Sequence, residues 1–140
     1  MQHDVVVYLA GFIDGEGSIM LTKRRGKASL RLAVVNTSKD VMDWIVENTG
    51  IGVVHLRHRK QPVNAKATYM WLVNSEAAES VIQQILPYLK IKQAQAALAL
   101  ETQERLRDPA LNADHTWQQE YIVKMKTMNA RAGSEYYAEV

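Results

Sequence analysis

Two carboxylates, Asp14 and Glu16, stand two residues apart in the run Asp14-Gly15-Glu16-Gly17-Ser18, where the apolar stretch Val5 to Asp14 turns acidic. Acids in a glycine-rich turn can hold a hard cation. With no cysteine in the chain, disulfides and thiolate zinc sites are excluded, and the available donors are carboxylates, carbonyls and scattered histidines. Mg²⁺ is the expected ion, with Ca²⁺ or Mn²⁺ able to take its place. The run imitates the centre of a calcium-binding helix-loop-helix, but the first loop ligand would fall on Phe12 and the twelfth on Lys23. Neither serves such a site, so that reading is excluded. His3, His55, His58 and His115 have no defensible metal-ligand spacing.

The 140 residues suffice for one self-standing core and leave little room for a second, so residues 1–140 are read as one domain. No uncharged apolar run approaches the roughly 18 residues that span a bilayer, and the N-terminal residues lack the charged-then-apolar layout of a signal peptide. A soluble, intracellular protein is expected. Net charge is only +2, yet Met20 to Lys66 carries ten basic residues (Lys23, Arg24, Arg25, Lys27, Arg31, Lys39, Arg57, Arg59, Lys60, Lys66) against Asp40, Asp43 and Glu47. A basic segment in an otherwise acidic chain is the footprint of a phosphate-binding face.

The elements that must position these groups follow from periodicity. Val5 to Asp14 reads as a helix buried on most sides, ended by Gly15-Glu16-Gly17. From Ser18 the period becomes two, giving a hairpin turned at Arg25-Gly26-Lys27. Thr37-Ser38-Lys39-Asp40 has capping-box spacing and opens a helix that stops near Gly50. The pattern then repeats: a strand over 52–59, a loop around 61–64, a strand over 68–73 and a helix over 75–86. Helices over 93–106 and 114–128 follow, separated by a break at Pro109 and Asn112. The order αββαββα plus one helix implies an α+β layer structure with helices on one sheet face.

The alternation sorts the sheet residues. With Ile19, Leu21, Leu30, Leu32, Leu56, Met70 and Leu72 facing the core, Met20, Thr22, Arg24, Ser29, Arg31, His55, Arg57, Arg59, Tyr69 and Trp71 face outward. Such a basic ribbon fits a DNA major groove, where arginine reads guanine. These ten are the candidate DNA-binding residues.

The residues Leu9-Ala10-Gly11-Phe12-Ile13-Asp14-Gly15-Glu16-Gly17-Ser18 closely resemble the motif of the LAGLIDADG homing endonucleases. Leu86-Pro87-Tyr88-Leu89-Lys90-Ile91-Lys92-Gln93-Ala94-Gln95 resembles the family's second recognisable segment. With the ββα repeat between them, the resemblance spans nearly the whole chain. It implies an α+β fold with an antiparallel saddle-shaped sheet and helices on one face, and site-specific double-strand cleavage of a long pseudo-palindromic DNA target, with short 3′ overhangs and no small-molecule cofactor. It also suggests a role in intron homing, a site of action in a bacterial cytoplasm or an organelle, and no association with membranes.

Gly11 and Gly15, with Ala10 beside them, leave one helix face nearly bare, so a partner backbone can approach closely. One motif per chain then implies a homodimer through Ala10, Gly11, Asp14 and Gly15. The resemblance makes Glu16 the metal ligand and catalytic acid, assisted by the Gly15 carbonyl, with Asp14 capping or orienting. It gives Lys92 the place of an active-site lysine, while Lys90 points elsewhere. A further polar group is expected within Asn36-Thr37-Ser38. The alternative on the same fold is a DNA-binding regulator or intron RNA maturase without cleavage activity.

Overall fold

The computed structural model describes residues 1–57 and 66–138, with side chains described through residue 130. Helix α1 (His3–Glu16) leads directly into β1 (Gly17–Arg24), which turns back as β2 (Lys27–Asn36). The turn places Arg25 and Gly26 at φ +52° and +79°, a conformation that glycine adopts at little cost. Helix α2 (Lys39–Thr49) follows, then β3 (Val53–Arg57), β4 (Thr68–Asn74) and α3 (Ser75–Ile85). A 3-10 turn, Leu86–Tyr88, leads to α4 (Gln93–Leu106), α5 (Pro109–Ala113) and α6 (His115–Ala138). The expected αββαββα order is present. The break at Pro109 is itself a short helix, and the last helix runs beyond 128.

The four strands form an antiparallel sheet in the order β1-β2-β4-β3. Its inner face carries Ile19, Leu21, Leu30, Leu32, Val34, Trp71 and Val73, all at most 2% exposed. They join one cluster with Leu9 and Ile13 of α1, Ile82 and Ile85 of α3, Ala96 and Ala99 of α4, and Met125 of α6. Ser38 rather than Thr37 caps α2, accepting the Val41 N–H at 3.3 Å, one residue later than the Thr37-to-Asp40 capping-box spacing implies.

Two parts of the expected pattern are corrected. First, β4 is turned over. Trp71 is fully buried on the helix side and Tyr69 packs partly buried beside it, whereas Met70 and Leu72 take the outer face. Leu56, expected in the core, is 48% exposed at the sheet edge. Both parities of Thr68–Asn74 are apolar, so alternation cannot choose between them. The tertiary structure chooses, because Trp71 fills the core and its indole N–H finds the Ile51 carbonyl at 2.9 Å, the kind of partner that a buried tryptophan needs. Second, α1 is two-faced rather than buried on most sides. Val5, Val6, Leu9, Ala10, Ile13 and Asp14 face the core, while Val7, Tyr8, Gly11 and Gly15 are exposed. Among the described residues no helix is long and apolar enough to cross a membrane.

Candidate active site

Gly17 places the first acid. It follows α1 without an intervening loop, and a Cβ there would lie 2.9 Å from Ile13 Cα, Cγ2 and O. A side chain would therefore force helix and strand apart. With Gly17 in place, Glu16 stands at the corner where α1 stops and β1 starts, exposed to solvent.

The β1–β2 ladder returns the end of β2 to this corner, pairing Gly17 with Val34. Two residues on, Asn36 donates its side-chain amide to Glu16 Oε2 at 2.5 Å and accepts the Ser38 N–H on Oδ1 at 2.7 Å. The second bond fixes which way the Asn36 amide points. Of Asn36, Thr37 and Ser38, then, Asn36 reaches the acid, Ser38 caps α2, and Thr37 is exposed.

Asp14 does different work. It is 8% exposed and accepts the backbone N–H groups of Lys90, Ile91 and Lys92 at 2.6, 3.1 and 3.1 Å. Lys92 is the N-cap residue of α4, so this carboxylate organises the turn from which α4 departs. Burial pushes the Asp14 carboxyl up, but the three N–H donors and the Lys92 charge outweigh it and hold it below its ordinary value. Lys92 replies through its side chain, with Nζ donating to the Asp14 carbonyl at 2.7 Å. Partial burial lowers the Lys92 ammonium against the raising influence of Asp14. Lys90 is exposed and contributes only its N–H.

Beside Lys92 lies a cleft of about 320 Å³ lined in part by Ser18, Met20, Gln95 and Asn129. Asn129 donates to the Ile19 carbonyl on the free edge of β1 at 2.9 Å and receives Gln95 Nε2 at 3.5 Å. Gln95 closes the second sequence segment and was open to discovery there. Nothing in the sequence marks Asn129, which arrives from α6.

On α1 the open face differs from the expected one. Ala10 is fully buried and Asp14 nearly so within the same chain, so neither presents a side chain outward. The exposed positions include Gly11 and Gly15, where a Cβ would meet nothing within 4 Å. Val7 and Tyr8 are 42% and 46% exposed on the same helix. On the sheet, Met20, Thr22, Arg24, Ser29, Arg31, His55 and Arg57 share the outer face by register, as expected. Tyr69 and Trp71 lie on the inner face, and Arg59 falls outside the described residues.

Comparison with known proteins agrees with this architecture. Residues 9–98 match the family model described as LAGLIDADG endonuclease. The chain is 32% identical over 110 residues to the DNA endonuclease I-CreI of Chlamydomonas reinhardtii, covering 74% of this chain and 64% of I-CreI. It thus spans under two thirds of the length of that relative. Over 116 residues it is 28% identical to the DNA endonuclease I-CvuI of Chlorella vulgaris, covering 74% of this chain and 68% of I-CvuI. The crystal structure of I-CvuI with its DNA target in the presence of Ca superposes with a TM-score of 0.68 at 24% identity, over 90% of this chain and 83% of that one. The archaeal intron-encoded homing endonuclease I-Vdi141I, complexed with DNA, gives 0.70 at 18% identity, over 91% and 86% of the two chains. The sequence match runs from α1 through the whole sheet into α4, the elements that build the Glu16 corner, and the chain belongs to the LAGLIDADG endonuclease family.

Proposed function

We propose that this chain is a homing endonuclease that acts as a homodimer and makes a metal-dependent double-strand cut in a long, pseudo-palindromic DNA target, leaving short 3′ overhangs. The observation that carries the reading is Glu16, presented to solvent at the end of α1 and tethered by Asn36. The relatives are DNA endonucleases by name, and the I-CvuI and I-Vdi141I structures of this fold are complexes with DNA.

The donor chemistry fits a hard divalent cation. Glu16 offers carboxylate oxygen, Gly15 offers a backbone carbonyl at the exposed end of α1, and neither thiolate nor clustered imidazole competes among the described residues. Bound by these groups, Mg²⁺ would polarise water and neutralise charge on the phosphate. Asn36 holds the Glu16 carboxylate in one orientation. Lys92, partly desolvated and pinned to the Asp14 carbonyl, supplies a compact positive charge for the negative charge that develops during cleavage.

Dimerisation is supported by the same geometry. Each protomer brings one exposed acid, Glu16, at the C-terminal end of α1, and two cuts require two. The bare Gly11 and Gly15 positions let a second α1 approach closely. The fold unit also covers 86% of this chain but only 43% of the DNA-bound LAGLIDADG meganuclease I-AabMI, a chain long enough for two such units.

The test is incubation of the protein with a plasmid library carrying randomised sites, with Mg²⁺ or EDTA, followed by sequencing of the ends. Discrete Mg²⁺-dependent ends around one pseudo-palindrome are expected. DNA retention without cutting would replace this reading with the regulator or maturase, and no retention would remove nucleic acid altogether.

A further inference from the structure

The inverted register of β4 changes what the outer face of the sheet can read. Two cross-strand rows run over it side by side: Ala33, Leu72 and Val53 in one, and Val35, Met70 and His55 in the other. Apart from His55 these residues are apolar, and they form a continuous island on a face whose other members, Met20 aside, are basic or polar. Arg31, paired with Asn74, bounds it on one side, and Arg57, paired with Thr68, bounds it on the other. Val53 is 56% exposed, while Val35, Met70 and Leu72 are half-buried and stand outside the core cluster. No helix of the core cluster accounts for their apolar character, because those helices pack against Ile19, Leu32, Trp71 and Val73 on the opposite face.

We propose that this island reads thymine through its 5-methyl groups, so that each half-site of the target carries a short thymine-presenting stretch between the positions that Arg31 and Arg57 contact. The inference rests on the DNA-cleaving reading above. The occupant is argued from continuity, since the island interrupts a single surface whose flanking arginines suit guanine and phosphate. In the major groove the only apolar group that a base edge presents is the thymine methyl. Size agrees as well. Strands about 4.8 Å apart and same-face residues nearly 7 Å apart give an island about 10 Å across its longer side, the rise of roughly three base pairs. Burying one methyl against aliphatic side chains is worth about a fourfold change in affinity.

The experiment takes the site recovered from the randomised library and resynthesises it with deoxyuridine in place of thymine, one position at a time. Each change removes a methyl and leaves every hydrogen-bonding group intact. Affinity of the wild-type protein should fall about fourfold at two or three adjacent positions per half-site and stay constant elsewhere. In Leu72→Ser, a change at a half-buried outer position, the drop should vanish at one of those positions. A recovered site with no thymine in such a stretch, or one where deoxyuridine binds as well as thymine everywhere, overturns the inference and leaves the endonuclease reading standing. Failure to recover any site overturns both.

Discussion

Asp14 and Lys92 hold each other in both directions: the Asp14 carboxylate accepts the Lys92 backbone N–H at 3.1 Å, and Lys92 Nζ donates to the Asp14 carbonyl at 2.7 Å. The acid nearest the helix body is therefore held in the corner between α1 and α4, while Glu16 stands exposed. Because the folded carboxyl titrates below its ordinary value of 3.8, the stability it confers is complete above that value and is lost as pH falls through the lower, folded-state value. Asp14→Asn replaces one acceptor oxygen by a donor that faces N–H groups, so it should cost about 1–3 kcal/mol and flatten the acid limb of the stability profile. Urea unfolding of both proteins from pH 7 down to pH 3 checks this. An unchanged acid limb would show that the three N–H bonds carry no net stability.

Glu16→Gln should abolish cleavage while binding to the selected site is retained, because the amide keeps the shape and loses the charge proposed to hold the cation. Asn36→Ala removes only a partner of that carboxylate, and loss of such outer partners costs roughly 10- to 100-fold. Cleavage rates measured alongside gel-shift affinities should therefore rank Glu16→Gln below Asn36→Ala, with similar affinities. A Glu16→Gln protein that cuts at the parental rate removes the acid from the chemistry.

Gly11→Val isolates the association step. A Cβ at Gly11 meets nothing within 4 Å in the protomer, and valine has a helix propensity no worse than that of glycine. Folding should be preserved and the dimer lost, seen as a monomer in sedimentation with unchanged circular dichroism. A variant that sediments as the parent does would place the interface elsewhere.

Gly52 makes the buried Trp71 possible. It sits at φ +82°, and a Cβ there would lie 2.5 Å from Trp71 Nε1 and 2.9 Å from the Leu72 carbonyl. Gly52→Ala combines backbone strain with a clash, which costs more than the roughly 1 kcal/mol of an incompatible backbone alone. Thermal unfolding should show a clearly lowered Tm with reduced burial of Trp71 by fluorescence. An unshifted Tm would mean that the turn before β3 yields freely.

Much of the architecture was legible because each signal was local. Helix and strand periods, the glycine turns and a polar cap just before α2 are properties of short windows, and the ten-residue motif located Glu16 without any knowledge of its neighbours. Asn36 could be narrowed only to a three-residue stretch, since choosing it required the β2 end to be brought beside α1. Asn129 was invisible, because its contact with the Ile19 carbonyl joins residues 110 positions apart.

What the sequence by itself determined, then, is the αββαββα order, the acid at the helix end, and the basic hairpin that alternates outward. The tertiary structure decided which face of β4 looks outward, which side of α1 stays open, and which N–H groups Asp14 holds. Those are competitions between faces of similar polarity. Trp71 wins the core because it has a cavity to fill and the Ile51 carbonyl to satisfy, and Asp14 is drawn inward because three backbone N–H groups at the start of α4 need an acceptor.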